Sequence, residues 1–152
     1  MNLIWRILKI CPMPRVKIKE PSSYVHQCEI KVRVTDLNYG NHLANEKVLM
    51  YAQEARVDFL DAHKMSEIDF WGTSLIQGDA AITYKSEGFL GDIITVALGI
   101  DDVSNSSFDF VYKMTNKTKN TVLAIVKTRM VCFDYEERKV TSVPEKFTAL
   151  SK

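Results

Sequence analysis

The stretch Asn45-Glu-Lys-Val-Leu-Met-Tyr-Ala-Gln-Glu-Ala-Arg-Val-Asp-Phe-Leu-Asp-Ala-His63 decides the fold class. Val48, Ala52, Ala55 and Phe59 recur at helical spacing, and Leu49, Tyr51 and Leu60 widen the stripe. Lys47, Gln53, Arg56 and Asp61 fall on the polar side, so the spacing predicts a helix with one face to bury, about four to five turns long. Asn45 is placed as its N-cap, with Glu46 in the first turn where a carboxylate suits the dipole.

Outward from this helix the period changes from 3.6 to two. Upstream, Cys28, Ile30, Val32 and Val34 alternate with Glu29, Lys31, Arg33 and Thr35, which predicts a half-buried strand. It runs into the turn-rich loop Asp36-Leu-Asn-Tyr-Gly-Asn41. Downstream come an apolar run from Leu75 to Tyr84 broken by Gln77-Gly78-Asp79, then Ile93–Ile100, apolar on both faces and so central in a sheet. Phe108, Phe110, Tyr112 and Met114 form the next alternating strand, Asn116–Asn120 a hairpin turn, and Val122–Phe133 a long return strand. One strand, one long helix and at least four strands joined by short turns make an α+β architecture, with a mostly antiparallel sheet packed on a single helix.

The 152 residues and 17.4 kDa suit one domain, and 46% apolar with 26% charged residues is an ordinary globular composition. Disorder, collagen and a disulfide scaffold are excluded. A formal charge of +1 offers no global field for nucleic acid, which is not expected as a partner. Cys11, Cys28 and Cys132 show no CxxC or Cys/His ligand spacing, and so read as reduced thiols of a cytoplasmic protein. Cys132, alternating with apolar neighbours, reads as a buried thiol and not a nucleophile.

Charge is segregated along the chain. Arg6, Lys9, Arg15, Lys17 and Lys19 against Glu20 give residues 1–20 a balance of +4, leaving −3 for the rest. The apolar opening up to Cys11 stops at Pro12 and is too short to span a bilayer. The sequence supports two readings of it, a weak membrane-surface contact or, the stronger, a segment docked on the domain or a second subunit. With the Pro- and Ser-containing approach it makes residues 1–24 a unit apart from a domain over 25–152.

No phosphate-binding glycine loop, HExxH, GxSxG or EF-hand loop occurs. The chemistry-bearing residues concentrate instead in Asp36, Asn38, Tyr39, Asn41, His42 and Asn45, the loop that feeds the helix. Free N–H groups at a helix start can polarise a carbonyl oxygen, and neighbouring side chains can hold a water beside it. The same residue types also form turns and caps, so composition alone leaves both readings open.

Asp36-Leu-Asn-Tyr-Gly-Asn-His-Leu-Ala-Asn45, followed by Gln53-Glu-Ala-Arg56, resembles the signature of hot-dog-fold acyl-CoA thioesterases. It is most similar to the branch containing 4-hydroxybenzoyl-CoA thioesterase, whose pattern runs D-x-D-x-x-G-H-x-N-N with a later E-A-R. Tyr84 with Gly91-Asp92, and Asp134 with Val143-Pro144-Glu145 and Phe147, continue the resemblance over about residues 26–150. It implies a curled antiparallel sheet of five to six strands wrapped round the helix. It also implies a homodimer or homotetramer with an acyl-CoA thioester at the subunit interface. Hydrolysis would need no metal, and no cofactor beyond the CoA carried by the substrate.

One departure bears on the mechanism. With His42 on the motif histidine, Asp36 takes the first acidic position and Asn38 the second, where the catalytic carboxylate usually stands. An amide cannot act as an ordinary base. Asn45 falls where some relatives carry a histidine. The candidates to supply the base are Asp36, placed on the same side as Asn38 if the chain is extended, His42, Glu54 on the helix and Asp79 after Gly78. Tyr39 and Asn41 are candidate substrate contacts. Arg56 reads as a structural surface cation, and Trp5, Trp71, Phe108, Phe110 and Tyr112 as core or interface; basic residues of the 113–127 hairpin face the CoA phosphates or solvent. Three functions follow in order: a thioester hydrolase, a non-catalytic acyl-thioester binder, and a hydratase or dehydratase.

Overall fold

The computed structural model describes residues 16–150. The N-terminal readings, with Trp5 and Cys11, lie outside the described residues. Strand β1 (His26–Lys31) leads through a short 3-10 turn (Val34–Asp36) to helix α1 (Asn45–Ala62). Then follow β2 (Ser74–Tyr84), β3 (Ile93–Asp101), β4 (Ser107–Asn116), β5 (Thr121–Asp134), the two-residue β6 (Lys139–Val140) and a terminal helix α2 (Glu145–Leu150). The sheet is antiparallel in the order β1-β3-β4-β5-β2, so β1 and β2 are its edges. Strand β6 pairs with the end of β5 at Phe133 and Asp134, beyond the last β4 partner at Val131.

One face of the sheet and the apolar face of α1 close a single core. Tyr51, Phe59, Val96, Leu98, Phe110 and Tyr112 are all essentially inaccessible to water, which stabilises each by roughly 1.5–3 kcal/mol. The helix stops by backbone geometry: Lys64 is left-handed at φ 56°, its N–H reaches Asp61 O, and the Met65 N–H reaches Leu60 O at 2.8 Å. That is a Schellman ending with lysine where glycine is usual. The His63 Nδ1 adds a contact to Phe59 O at 2.9 Å.

Residues 16–25 form a strap across the other sheet face. Val25 N–H bonds Leu98 O, Pro21 and Ser23 sit on Gly99, and Glu20 accepts from Lys113 Nζ at 2.9 Å. A glycine at 99 lets the strap lie against the strand, because a Cβ there would meet Pro21 and, at 2.7 Å, Ser23 O.

Three local expectations change, at Val34, the helix N-cap and Arg56, and two features are added, a bulge in β2 and a helix in the tail. Val34 is 70% exposed and not on the buried strand face, because the strand gives way to the 3-10 turn capped by Asp36. The helix N-cap is Ala44, and Asn45 is the first helical residue. Gln77-Gly78-Asp79 does not end a strand: β2 runs through it with a bulge, Gly78 being passed over in the pairing with β5. Arg56 is no surface cation but 4% exposed, as described below. The tail forms the helix α2, which seats Phe147 against Phe108 and Phe70 at ring distances of 4.2 and 5.0 Å.

Among the described residues no helix is long and apolar enough to cross a membrane. Cys28 is half-buried and Cys132 buried, both free, and burial pushes each thiol up to about 11. Neither is poised as a thiolate nucleophile.

Candidate functional site

The loop between the 3-10 turn and α1 is built from the inside outward. Asp36 is its anchor, 1% exposed, with Oδ2 accepting from Arg33 N–H at 3.0 Å, Arg33 Nε at 3.3 Å and the Tyr51 hydroxyl at 2.8 Å. Lys47 Nζ lies 3.9 Å from Oδ1, and the Asp36 carbonyl accepts Ala44 N–H. Burial alone would raise this carboxyl, but the Arg33 N–H, the Tyr51 hydroxyl and the Arg33 guanidinium outweigh it and hold it below the usual range. Asp36 closes a turn instead of sitting in extended chain, so its carboxylate and the Asn38 amide have separate partners.

Asn38 closes the next turn. Its N–H bonds His42 O at 3.0 Å, its carbonyl accepts Asn41 N–H, and its side-chain Oδ1 accepts Gly40 N–H at 2.9 Å. With Oδ1 committed, Nδ2 is left facing His42 Nδ1 at 3.4 Å. The same ring nitrogen is 3.4 Å from Leu43 O. Asn41 takes a left-handed φ of 61° at an exposed position, and Tyr39 stands fully in solvent at the loop tip.

His42 and Asn45 meet Glu87, which no pattern in the sequence singles out. They line a cavity of about 180 Å³ with Val48, Tyr84, Glu87 and Leu123. The Asn45 and Glu46 N–H groups, in the first turn of α1, have no intrahelical acceptor. Tyr84 bonds the Asn45 carbonyl through its hydroxyl at 3.2 Å. Glu87 comes from the loop after β2 and places Oε1 4.0 Å from His42 Nε2. Its neighbours pin it there: Ser86 N–H and hydroxyl bond Leu123 O and Val122 O, and Gly88 O accepts Leu43 N–H at 2.8 Å. Nothing in the run Lys85-Ser-Glu-Gly88 separates it from an ordinary polar turn; only the cross-loop bond to Leu43 brings it to the histidine.

Glu54 and Asp79 do not join this group within one subunit. Glu54 lies nine residues along α1, about 13 Å from its start. It borders a wider, shallower groove of about 530 Å³ with Val57, Asp61, Met65 and Ile68. That groove is the larger of the two but holds neither the free N–H groups nor the histidine. Asp79 sits on the strap face of the sheet, bonded to Lys127 Nζ at 2.9 Å. Arg56, beneath α1, gives Nε to Glu67 at 2.6 Å and an Nη to Gln77 at 3.1 Å, so the matching arginine ties helix to β2. Among the described residues no three His, Cys, Asp or Glu side chains converge as metal ligands.

Solved structures share this architecture. Slr0204 from Synechocystis, a 1,4-dihydroxy-2-naphthoyl-CoA thioesterase, superposes with a TM-score of 0.74 at 22% identity, over 83% of this chain and 94% of that one. The SAV2348 protein of Staphylococcus aureus, solved in complex with CoA, gives 0.73 at 18% identity over 88% and 85%. YbaW from Escherichia coli gives 0.69 at 22% identity over 84% and 99%. These likenesses establish the hot-dog fold. No curated protein matches the sequence. Residues 32–150 match the model of the thioesterase-like superfamily, and the chain belongs to that superfamily.

Proposed function

We propose that the protein hydrolyses acyl-CoA thioesters, with the reacting carbonyl at the start of α1. The observation that carries this reading is the cavity lined together by His42 and by Asn45, the first residue of α1, where the helix has N–H groups without intrahelical acceptors. A thioester carbonyl oxygen placed on the Asn45 and Glu46 N–H groups would be stabilised as negative charge develops on it. His42 then stands beside the carbonyl carbon, held by Asn38, while Asp36 braces the loop and does not enter the reaction. The CoA-bound SAV2348 structure and the thioesterase assignment of Slr0204 support the substrate class.

The protein works as a homodimer or a dimer of dimers in this reading. Strand β2 is an eleven-residue sheet edge with no neighbour beyond it among the described residues, a length that natural edges seldom leave unpaired. A second copy pairing there would bring its own surface to the cavity beside Tyr84.

The test is release of free thiol from short, long and aromatic acyl-CoAs. Turnover of at least one class, lost by His42→Ala, is the expected result. No turnover with any of them, together with measurable acyl-CoA binding, would favour the second reading, a binder whose turn amide Asn38 stands where a carboxylate would act.

A further inference from the structure

We infer that Glu87 is the catalytic carboxylate of this site, replacing from the loop after β2 the one that Asn38 lacks. The inference rests on the hydrolase reading above and adds a residue to it.

The orientation of His42 is set by a chain of donors. Gly40 N–H occupies Asn38 Oδ1 at 2.9 Å, so the amide must present its NH₂ to His42 Nδ1. With the amide donating there, the neutral ring carries its proton on Nε2; the other tautomer gives an Nδ1 proton to Leu43 O, also 3.4 Å away, and leaves Nε2 open. Nε2 is the atom that faces Glu87, and in the tautomer set by the Asn38 amide it is a donor and no base. The carboxylate opposite it is one. Their separation of 4.0 Å exceeds a direct hydrogen bond, and the exposed carboxylate needs to turn only slightly to hold a water between itself and the ring.

Glu87 is also built in. The backbone on each side of it is tied to β5 and to the helix-entry loop, and Gly88 packs so closely that a Cβ would meet Leu123 at 3.0 Å. The side chain itself is 65% exposed and bears no other ion pair among the described residues, which leaves it free for a substrate water.

The step balances without a further reactant. Glu87 takes one proton from the water, whose oxygen bonds to the thioester carbon while the carbonyl electron pair moves onto oxygen. When that pair returns, the C–S bond breaks and the thiolate recovers the proton from Glu87, giving free acid and CoA thiol.

The experiment compares the parent protein with Glu87→Gln, Glu87→Asp and the double variant Asn38→Asp/Glu87→Gln on the acyl-CoA that the parent turns over best. Glu87→Gln should lower kcat at least about 100-fold and move KM less than about threefold. Its thermal melting should be unchanged, since the side chain is exposed. Glu87→Asp should keep part of the rate. In the double variant the new carboxylate accepts from Nδ1 and frees Nε2 as a base, so turnover should recover at least about tenfold over Glu87→Gln. Glu87→Gln within threefold of the parent, with His42→Ala inactive, overturns the role of Glu87 and leaves the hydrolase reading standing. A parent inactive on every acyl-CoA overturns both.

Discussion

The Tyr51 hydroxyl, just under two turns into the long helix, donates to Asp36 Oδ2 at 2.8 Å, and both residues are 1% exposed. This bond fixes the entry of the helix relative to the loop that carries Asn38 and His42. Removing the Asp36 carboxylate would leave the buried Tyr51 hydroxyl unpaired, and removing the hydroxyl would cost a charge-assisted bond while the two Arg33 donors remain, which makes the pair a test of how the site is held.

Tyr51→Phe and Asp36→Asn should each destabilise the fold by about 1–3 kcal/mol in urea unfolding. The pH dependence follows from Asp36 being held below the usual carboxylate range. A depressed folded value means that the unfolded chain binds the proton more readily, so this contribution is complete above the unfolded value near 4 and is lost as pH falls through the folded one. Asp36→Asn should flatten the stability profile below about pH 4. Asp92, which burial pushes up but Phe89 N–H, Asn116 and Lys119 hold below its ordinary value, supplies a like contribution in the variant. An unchanged profile would show that Asp36 is not so held.

Gly40 separates geometry from stability. A Cβ at this position would meet His42 Nε2 at 3.1 Å and Asn38 Oδ1 at 3.2 Å, displacing the ring by a few tenths of an ångström. Gly40→Ala should lower acyl-CoA turnover by about tenfold or more, as small misplacements at a reacting group do. Thermal unfolding should change little, the loop being exposed at Gly40. Full activity in this variant would place the reacting centre elsewhere.

Arg56 is buried with Glu67 at 2.6 Å and Gln77 at 3.1 Å. Arg56→Ala leaves the partly exposed Glu67 without its cation and opens space under the helix, and should cost about 1–3 kcal/mol in denaturant unfolding. Arg56→Lys restores charge but not the fork, and should recover only part of the loss. A cost below 1 kcal/mol for Arg56→Ala would return this residue to the surface role that helical periodicity suggested.

The strap offers a local readout. Gly99→Ala puts a methyl group against Pro21 and Ser23 O, and should lift residues 16–25 from the sheet. Limited proteolysis should then cut near Lys17 and Lys19 faster than in the parent, with the rest of the domain intact. An unaltered cleavage pattern would show that the strap accommodates the methyl group in place.

The sequence by itself determined the elements and their order, because each buries a face that its own residues announce. The 3.6 period from Val48 to Phe59 and the period of two from Phe108 to Met114 need no partner to be read, and together with the loop motif they led to the superfamily. The ends of elements were harder. Ala44 caps α1 because its backbone is extended and its carbonyl accepts Lys47 N–H, a geometry that asparagine at 45 suggested one residue too late. Which polar residues meet was decided only in three dimensions. Arg56 sits on the side of its helix that meets Glu67, Gln77 and Met130, and helical spacing alone could not say so. Glu87 lies 45 residues from His42 in the chain, in a run that reads as a turn, and reaches it through the single backbone bond between Leu43 and Gly88. Burial leaves a periodic trace in one segment, whereas a pairing of two exposed loops is carried by the sheet that holds them and leaves none.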